Sequence, residues 1–278
     1  MFVLEGIGVA EYIARISYGK DSLKMLEVIH SRGLPLDRIT TTDVWATDTI
    51  SANLPPMDAF KAKMDQRIWE LYHIEVEHLC ATLEEKKATY ESVFYSVPER
   101  KENNTEFDGF PRGFPFRKGP WCQKLKHIYV QEEKTAENVV EYLGIASDER
   151  DRLGQLNARK RAPLVEFGID EDLCGLYCQY NNMLAPTYET SCRDGCWFCH
   201  NQGIGQLRLL RQNYPDLWAL LMKWDLDSPV TFKADGHTVH DFDRRFQLED
   251  EGVIPTDKAF RWDWLERPPG VQMIMEGF

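Results

Sequence analysis

An α/β fold organised on a parallel sheet is what the sequence predicts, on three observations. Strand-patterned segments alternate with segments of helical period over residues 12–180, as βα units require. The 278 residues are 43% hydrophobic and 12% aromatic, which suits a folded globule of one large α/β domain with an appendage, or of two small domains. No apolar run approaches about 18 residues, so no membrane span is expected.

In chain order, Tyr12 to Ile16 reads as a strand. Leu23 to His30 reads as a helix with Leu23, Leu26, Val28 and Ile29 on one face. The strand-to-helix turn between them, Ser17-Tyr18-Gly19-Lys20-Asp21-Ser22, presents backbone N–H groups, the positive end of a helix, two hydroxyls and a cation. It reads as a phosphate-binding loop or as an ordinary turn with a Ser cap. Ile39 to Trp45 follows as a second strand, with Asp43 and Asp48 at or past its end, where parallel sheets meet ligands. Turn chemistry suits Asp48 better.

Pro55-Pro56 opens a helix with Met57, Phe60, Met64, Ile68 and Leu71 at core spacing, and residues 74–79 alternate as a strand. Residues 90–97 extend the sheet or leave it. Residues 98–120 are a long Gly/Pro/Phe loop, made locally basic by Arg112, Arg117 and Lys118: a phosphate-facing flap or a surface excursion. A helix begins at Trp121, and Val139 to Ile145 is a strand ending before Asp148-Glu149-Arg150. Arg159-Lys160-Arg161 reads as a solvated basic face and residues 163–167 as a further strand. Asp170 caps a helix carrying Leu173, Leu176, Tyr177 and Tyr180. A final helix from about Gly205 to Lys223 is interrupted near Pro215. His237 and His240 beside Asp241 and Asp243 read as loop histidines among solvated acids.

Cys192, Cys196 and Cys199 fall within eight residues, with Gly195 among them, a spacing that lets backbone wrap a zinc ion or an iron–sulfur cluster. Cys122 is the preferred fourth ligand and His200 the zinc alternative; buried structural thiols are the other reading. Cys174 and Cys178 can face the core, and Cys80 reads as core. The seven cysteines, without a secretory pattern at the N-terminus, suggest a cytoplasmic protein. The net charge of −12 disfavours broad nucleic-acid binding, although a local basic groove is compatible with it.

Taken together these segments resemble the PP-loop ATP pyrophosphatase superfamily, in its phosphoadenosine phosphosulfate (PAPS) reductase-like branch, and in particular the proteins of that branch common in phage and prophage. The matches run in family order: Ser17-Tyr18-Gly19-Lys20-Asp21-Ser22; Asp43-Val44-Trp45; Trp121-Cys122 with Leu125-Lys126; Gly144-Ile145 with Asp148-Glu149 and Arg152; Pro163-Leu164 with Glu166; and Gly195-Cys196-Trp197-Phe198-Cys199. The resemblance implies a five-stranded, mostly parallel sheet with helices on both faces, of the adenine nucleotide alpha hydrolase kind, over residues 1–186. Residues 187–278 then form a cysteine-cluster segment, a helix and a C-terminal extension.

It further implies that ATP, PAPS or adenosine phosphosulfate (APS) binds through Ser17, Tyr18, Gly19, Lys20, Asp21, Ser22, Asp43, Asp148, Glu149 and Arg152. Lys20, Asp21 and Lys126 are the catalytic candidates, Asp21 orienting the loop or a Mg²⁺. Cys122, Cys192, Cys196 and Cys199 would hold a 4Fe-4S cluster or Zn. The implied chemistry is attack at the α-phosphate with pyrophosphate release and adenylyl activation, in sulfur transfer or nucleotide modification, with a sulfur donor or thiol reductant as partner. A sulfonucleotide reductase using an external thiol and a non-catalytic nucleotide-binding protein are the alternatives. Two departures stand out. Tyr18 replaces a usual Gly or Ser, and no cysteine follows Cys199, so the C-terminal Glu-Cys-Gly-Leu-His segment of the true reductases has no counterpart. A homodimer is compatible with the sequence, which does not fix the oligomeric state.

Overall fold

Residues 10–98, 108–115, 120–127, 138–189, 195–256 and 260–266 are described by the structure, a computed structural model. The elements are β1 (Glu11–Arg15), α1 (Lys20–Ser31), β2 (Arg38–Asp43), α2 (Pro55–Tyr72), β3 (Val76–Cys80), β4 (Thr82–Leu83), β5 (Lys86–Lys87), α3 (Tyr90–Phe94), α4 (Lys124–His127), β6 (Val139–Leu143), β7 (Lys160–Arg161), α5 (Pro163–Glu166), α6 (Glu171–Tyr180), α7 (Ile204–Asn213), α8 (Pro215–Asp227) and α9 (Val239–Asp250). By contact the chain divides into two compact units, residues 1–90 with 122–196 and residues 91–121 with 197–278.

The first unit is an α/β layer structure on a five-stranded sheet of order β3-β2-β1-β6-β7. Every pairing in it is parallel, with Ala14 opposite Ile39 on one side and Tyr142 on the other. Its core joins Ala14, Ile16, Ile39 and Tyr142 to Leu23, Met25 and Leu26 of α1, Met57, Phe60 and Met64 of α2, and Cys174 and Cys178 of α6. Helix α1 carries this core because its apolar residues recur at helical spacing, and α2 starts on Pro55-Pro56, which cost little at a helix N-terminus.

One expectation changes, and two readings find their outcome. The fifth strand is Lys160–Arg161, and residues 163–166 are helical: Pro163 fits the first helical turn and cannot donate to a ladder. Residues 90–94 form a helix outside the five-stranded sheet. The buried side of α6 is Cys174 and Cys178, while Leu173 and Leu176 are 48% and 63% exposed. Asp170 caps α6 as expected, accepting from the Leu173 N–H at 2.9 Å.

The second unit is helical and aromatic. Trp197 stacks on Trp224, Phe94 meets Phe114, and Phe114 meets Phe232. These contacts lie within the second unit, which takes in residues 91–121. Pro215 separates α7 from α8. Glu249 of α9, 2% exposed in its side chain, pairs with Arg208 of α7 and with Arg245 of its own helix. No described helix is long and apolar enough to cross a membrane.

Candidate functional site

The strand order creates the site. From the central β1 the chain steps outward through β2 and β3, then returns to lay β6 and β7 on the other flank. Connections leaving β1 and β6 therefore diverge, and an open crevice forms beyond their carboxyl ends. A cavity of about 720 Å³ lies there, within the first unit. Arg15, Ile16 and Ser17 line it from the end of β1, Thr40 to Thr42 from β2, Leu143 and Gly144 from β6, and Lys160 from β7. Its charged groups are Arg15, Lys61, Lys126, Arg152 and Lys160 against the single carboxylate of Glu141. Arg15 bonds Glu141 at 2.8 Å and Lys160 lies 4.0 Å from it, whereas Lys126 makes no ion pair among the described residues. A cationic hollow in an acidic chain attracts an anion.

The turn after β1 folds back on itself. Ser22 Oγ accepts the Ser17 N–H at 3.3 Å and donates to the Gly19 carbonyl at 2.9 Å. Gly19 caps α1 and contributes no side-chain acceptor, so the first-turn N–H groups keep their capacity for an anion. The end of β6 closes on this turn: a Cβ at Gly144 would lie 2.9 Å from Ser22 N and Cα. Tyr18 has a φ of 59°, where a residue with a side chain is uncommon. Its ring is fully buried in the core, and its hydroxyl donates to Asp65. It therefore neither stacks on a ligand nor lines the cavity.

Lys20 and Asp21 point elsewhere. The Lys20 ammonium bonds Asp21 at 3.0 Å and Glu171 at 2.9 Å. Against its desolvation, the bonds to Glu171 and Asp21 raise its pKa. Burial raises the Asp21 carboxyl in spite of Lys20. Among the described residues, oxygens of Asp21, Glu149 and Glu171 come within 4.8 Å of one another. Such hard oxygen donors fit Mg²⁺, although Lys20 already serves two of them. Cys178 Sγ lies 3.5 Å from the Lys20 carbonyl, and burial pushes its thiol up to about 12, which keeps it in the protonated, weakly nucleophilic form at neutral pH.

A second hollow of about 200 Å³ sits at the end of β2, lined also by His78 of β3 and by Lys61 and Asp65 of α2. His78 Nδ1 lies 2.6 Å from Asp43 and its Nε2 3.1 Å from Asp65, while Lys61 bonds the other oxygen of Asp43 at 2.8 Å. Against the effect of burial, His78 and Lys61 hold the Asp43 carboxyl down at about 2. The hydrogen bonds to Asp43 and Asp65 push His78 up to about 9, so the ring is an imidazolium at neutral pH.

Of the residues expected in the site, Ser17, Ser22, Lys126, Arg152 and Cys196 line the large cavity and Gly19 caps the helix beneath it. Tyr18, Lys20, Asp21, Asp43, Asp148 and Glu149 are not among its lining residues. Asp148 accepts the Glu171 N–H at 3.1 Å, and Glu149 accepts the Ala146 N–H while pairing with Arg152 at 2.8 Å. Cys122 and Cys199 are half-buried; Cys192, like Arg117 and Lys118, lies outside the described residues. His200 is buried, and its carbonyl and that of Gln202 accept from Lys233. His237 stacks on Trp262 at 3.5 Å and His240 Nδ1 bonds Asp225, so both have structural partners. Arg15, Lys61, Asp65, His78 and Lys160 were missed by the sequence reading; a position at the carboxyl end of a parallel strand is the signal that finds Arg15, the last residue of β1. Comparison with protein-family models, curated proteins and solved structures finds no match.

Proposed function

We propose that the first unit binds ATP or a related adenine nucleotide in the manner of the PP-loop enzymes, in an adenine nucleotide alpha hydrolase-like fold. Attack at the α-phosphate there releases pyrophosphate and leaves an adenylylated intermediate for sulfur transfer or nucleotide modification. The observation that carries this reading is the cavity with mostly cationic charged groups at the strand-order switch, opening on the first turn of α1, whose Gly19 cap offers no side-chain acceptor. In this reading Ser17, Ser22 and the α1 N–H groups hold the leaving pyrophosphate, and Lys126 and Arg152 stabilise its growing charge. Lys20 joins them by exchanging Glu171 for a phosphate oxygen. Asp21 and Glu149 would hold Mg²⁺, which supplies further charge neutralisation.

Cys122, Cys192, Cys196 and Cys199, with His200 as an alternative ligand, are the proposed holders of an iron–sulfur cluster or zinc. The half-buried sulfurs of Cys122, Cys196 and Cys199 are the donor type such groups take. Protein purified without oxygen, assayed for metal and inorganic sulfide, separates the two. Cys196→Ser is expected to lower metal content and thermal stability together, because metal binding is linked to folding. Metal retained in full by the variant removes the assignment.

The test of function is calorimetric titration with ATP, pyrophosphate and PAPS, followed by product analysis. Pyrophosphate released from ATP supports the adenylyl reading, and sulfite from PAPS the reductase reading. Tight binding with no product under any acceptor supports a nucleotide-binding protein, a reading favoured by the retention of Lys20 on Asp21 and Glu171. Failure to bind any of the three overturns the proposal.

A further inference from the structure

The small hollow beside the cavity contains a connected chain of charged groups that the chemistry above does not use. Asp43 lies at its centre and presents one oxygen to each of two cations, Oδ2 to His78 Nδ1 at 2.6 Å and Oδ1 to Lys61 Nζ at 2.8 Å. Lys61 lines both hollows, and its ammonium also lies 5.4 Å from the centre of the Tyr18 ring. On its far side His78 Nε2 lies 3.1 Å from Asp65 and 3.2 Å from the Tyr18 hydroxyl. One imidazole thus touches the carboxylate that holds a cavity cation and the residue at the bend of the turn before α1.

We propose that His78 is a positioning residue: by occupying half of Asp43 and bridging Asp65 to Tyr18, it leaves the Lys61 ammonium shared between Asp43 and an anion in the large cavity. With a neutral ring, Asp43 keeps its full attraction for Lys61 and draws that cation out of the cavity. The groups that face His78 are Asp43 from β2, Lys61 and Asp65 from α2, and Tyr18 from the turn. Asp58 of α2 lines the same hollow and bonds Ser51 and Asn53. Cys80, the last residue of β3, stands opposite Asp43 in the sheet. The inference deepens the phosphate-binding reading of the large cavity and rests on it for its functional consequence.

The experiment has two arms. The first uses no ligand: the ¹⁵Nζ resonance of Lys61 is followed with the ¹³Cε1 resonance of His78 as pH is raised. Lys61 is expected to shift as His78 loses its proton near about 9 in the wild type. That step is absent in His78→Gln and in His78→Arg, which keeps a fixed cation. In the second arm, titration with inorganic pyrophosphate at neutral pH is expected to show binding about tenfold weaker in His78→Gln, the size of one hydrogen bond to a charged group, and near wild type in His78→Arg.

A Lys61 resonance that ignores the His78 titration in the wild-type protein overturns the inference, and that measurement needs no variant to fold. Equal pyrophosphate affinity in wild type and His78→Gln overturns it as well. If the wild type binds no pyrophosphate, the phosphate reading of the cavity falls and the Lys61 resonance alone decides the relay.

Discussion

At the scale of single residues, Gly144 and the Asp43–His78 pair make demands that can be measured. A side chain at residue 144 meets the backbone of Ser22 at 2.9 Å, and backbone cannot swing aside as a flexible side chain does. Gly144→Ala is therefore expected to destabilise by about 1–3 kcal/mol, the usual cost of overpacking, and to weaken anion binding, because α1 must retreat from the end of β6. Urea unfolding with a pyrophosphate titration checks both. The Asp43–His78 pair predicts a pH window. The folded pKa of His78 is raised, so its contribution is complete below about 6.5 and is lost as pH rises through about 9. The folded pKa of Asp43 is depressed, so its contribution is present above about 3.8 and is lost as pH falls through about 2. The stability gap between wild type and His78→Gln should then narrow in urea denaturation between neutral pH and pH values above His78's titration. A gap of constant size would mean that the ring acts by shape alone.

At the scale of elements, the legibility of the sequence followed the strength of the local signal. Helices α1 and α2 and strands β1, β2, β3 and β6 were read within a few residues, because each carries its own period or β-branched run. The edge strand Lys160–Arg161 has no apolar face, and nothing local marks it; only its ladder to β6 makes it a strand. The β4–β5 hairpin was unreadable for another reason. Its two turn residues, Glu84 and Glu85, both take positive φ, 49° and 64°, where Asn-Gly is the usual signature. The sequence thus stores strain there. Glu84→Asn with Glu85→Gly is expected to raise stability by about 1 kcal/mol, read as a rise in melting temperature. An unchanged or lower value would show that these glutamates have partners worth more than their backbone cost.

At the scale of the molecule, a net charge of −12 coexists with a cavity whose charged groups are mostly cationic. The sequence total argued against broad nucleic-acid binding while leaving room for a local basic groove, and the fold collects Arg15, Lys61, Lys126, Arg152 and Lys160 from five separate stretches of chain. Pattern reading found Lys126 and Arg152 through motif order; Lys61 was legible only as one polar position in an amphipathic helix. Anion binding at this cavity should weaken as salt screens it, and Lys126→Ala should both lower affinity and flatten the salt dependence. Pyrophosphate titrations at several ionic strengths test this, and salt-independent binding would place the anion elsewhere.

The shortness of β7 has a consequence for solubility. A parallel sheet ends on two open edges, and an open edge can recruit a strand from another molecule. On the β6 side the outermost strand is two residues long, and both residues are basic. A second copy approaching that flank finds little ladder to extend and a like charge in its way. Lys160, one of the two, also lines the cavity, so the charge that blunts this edge is one of those the proposed anion site would use.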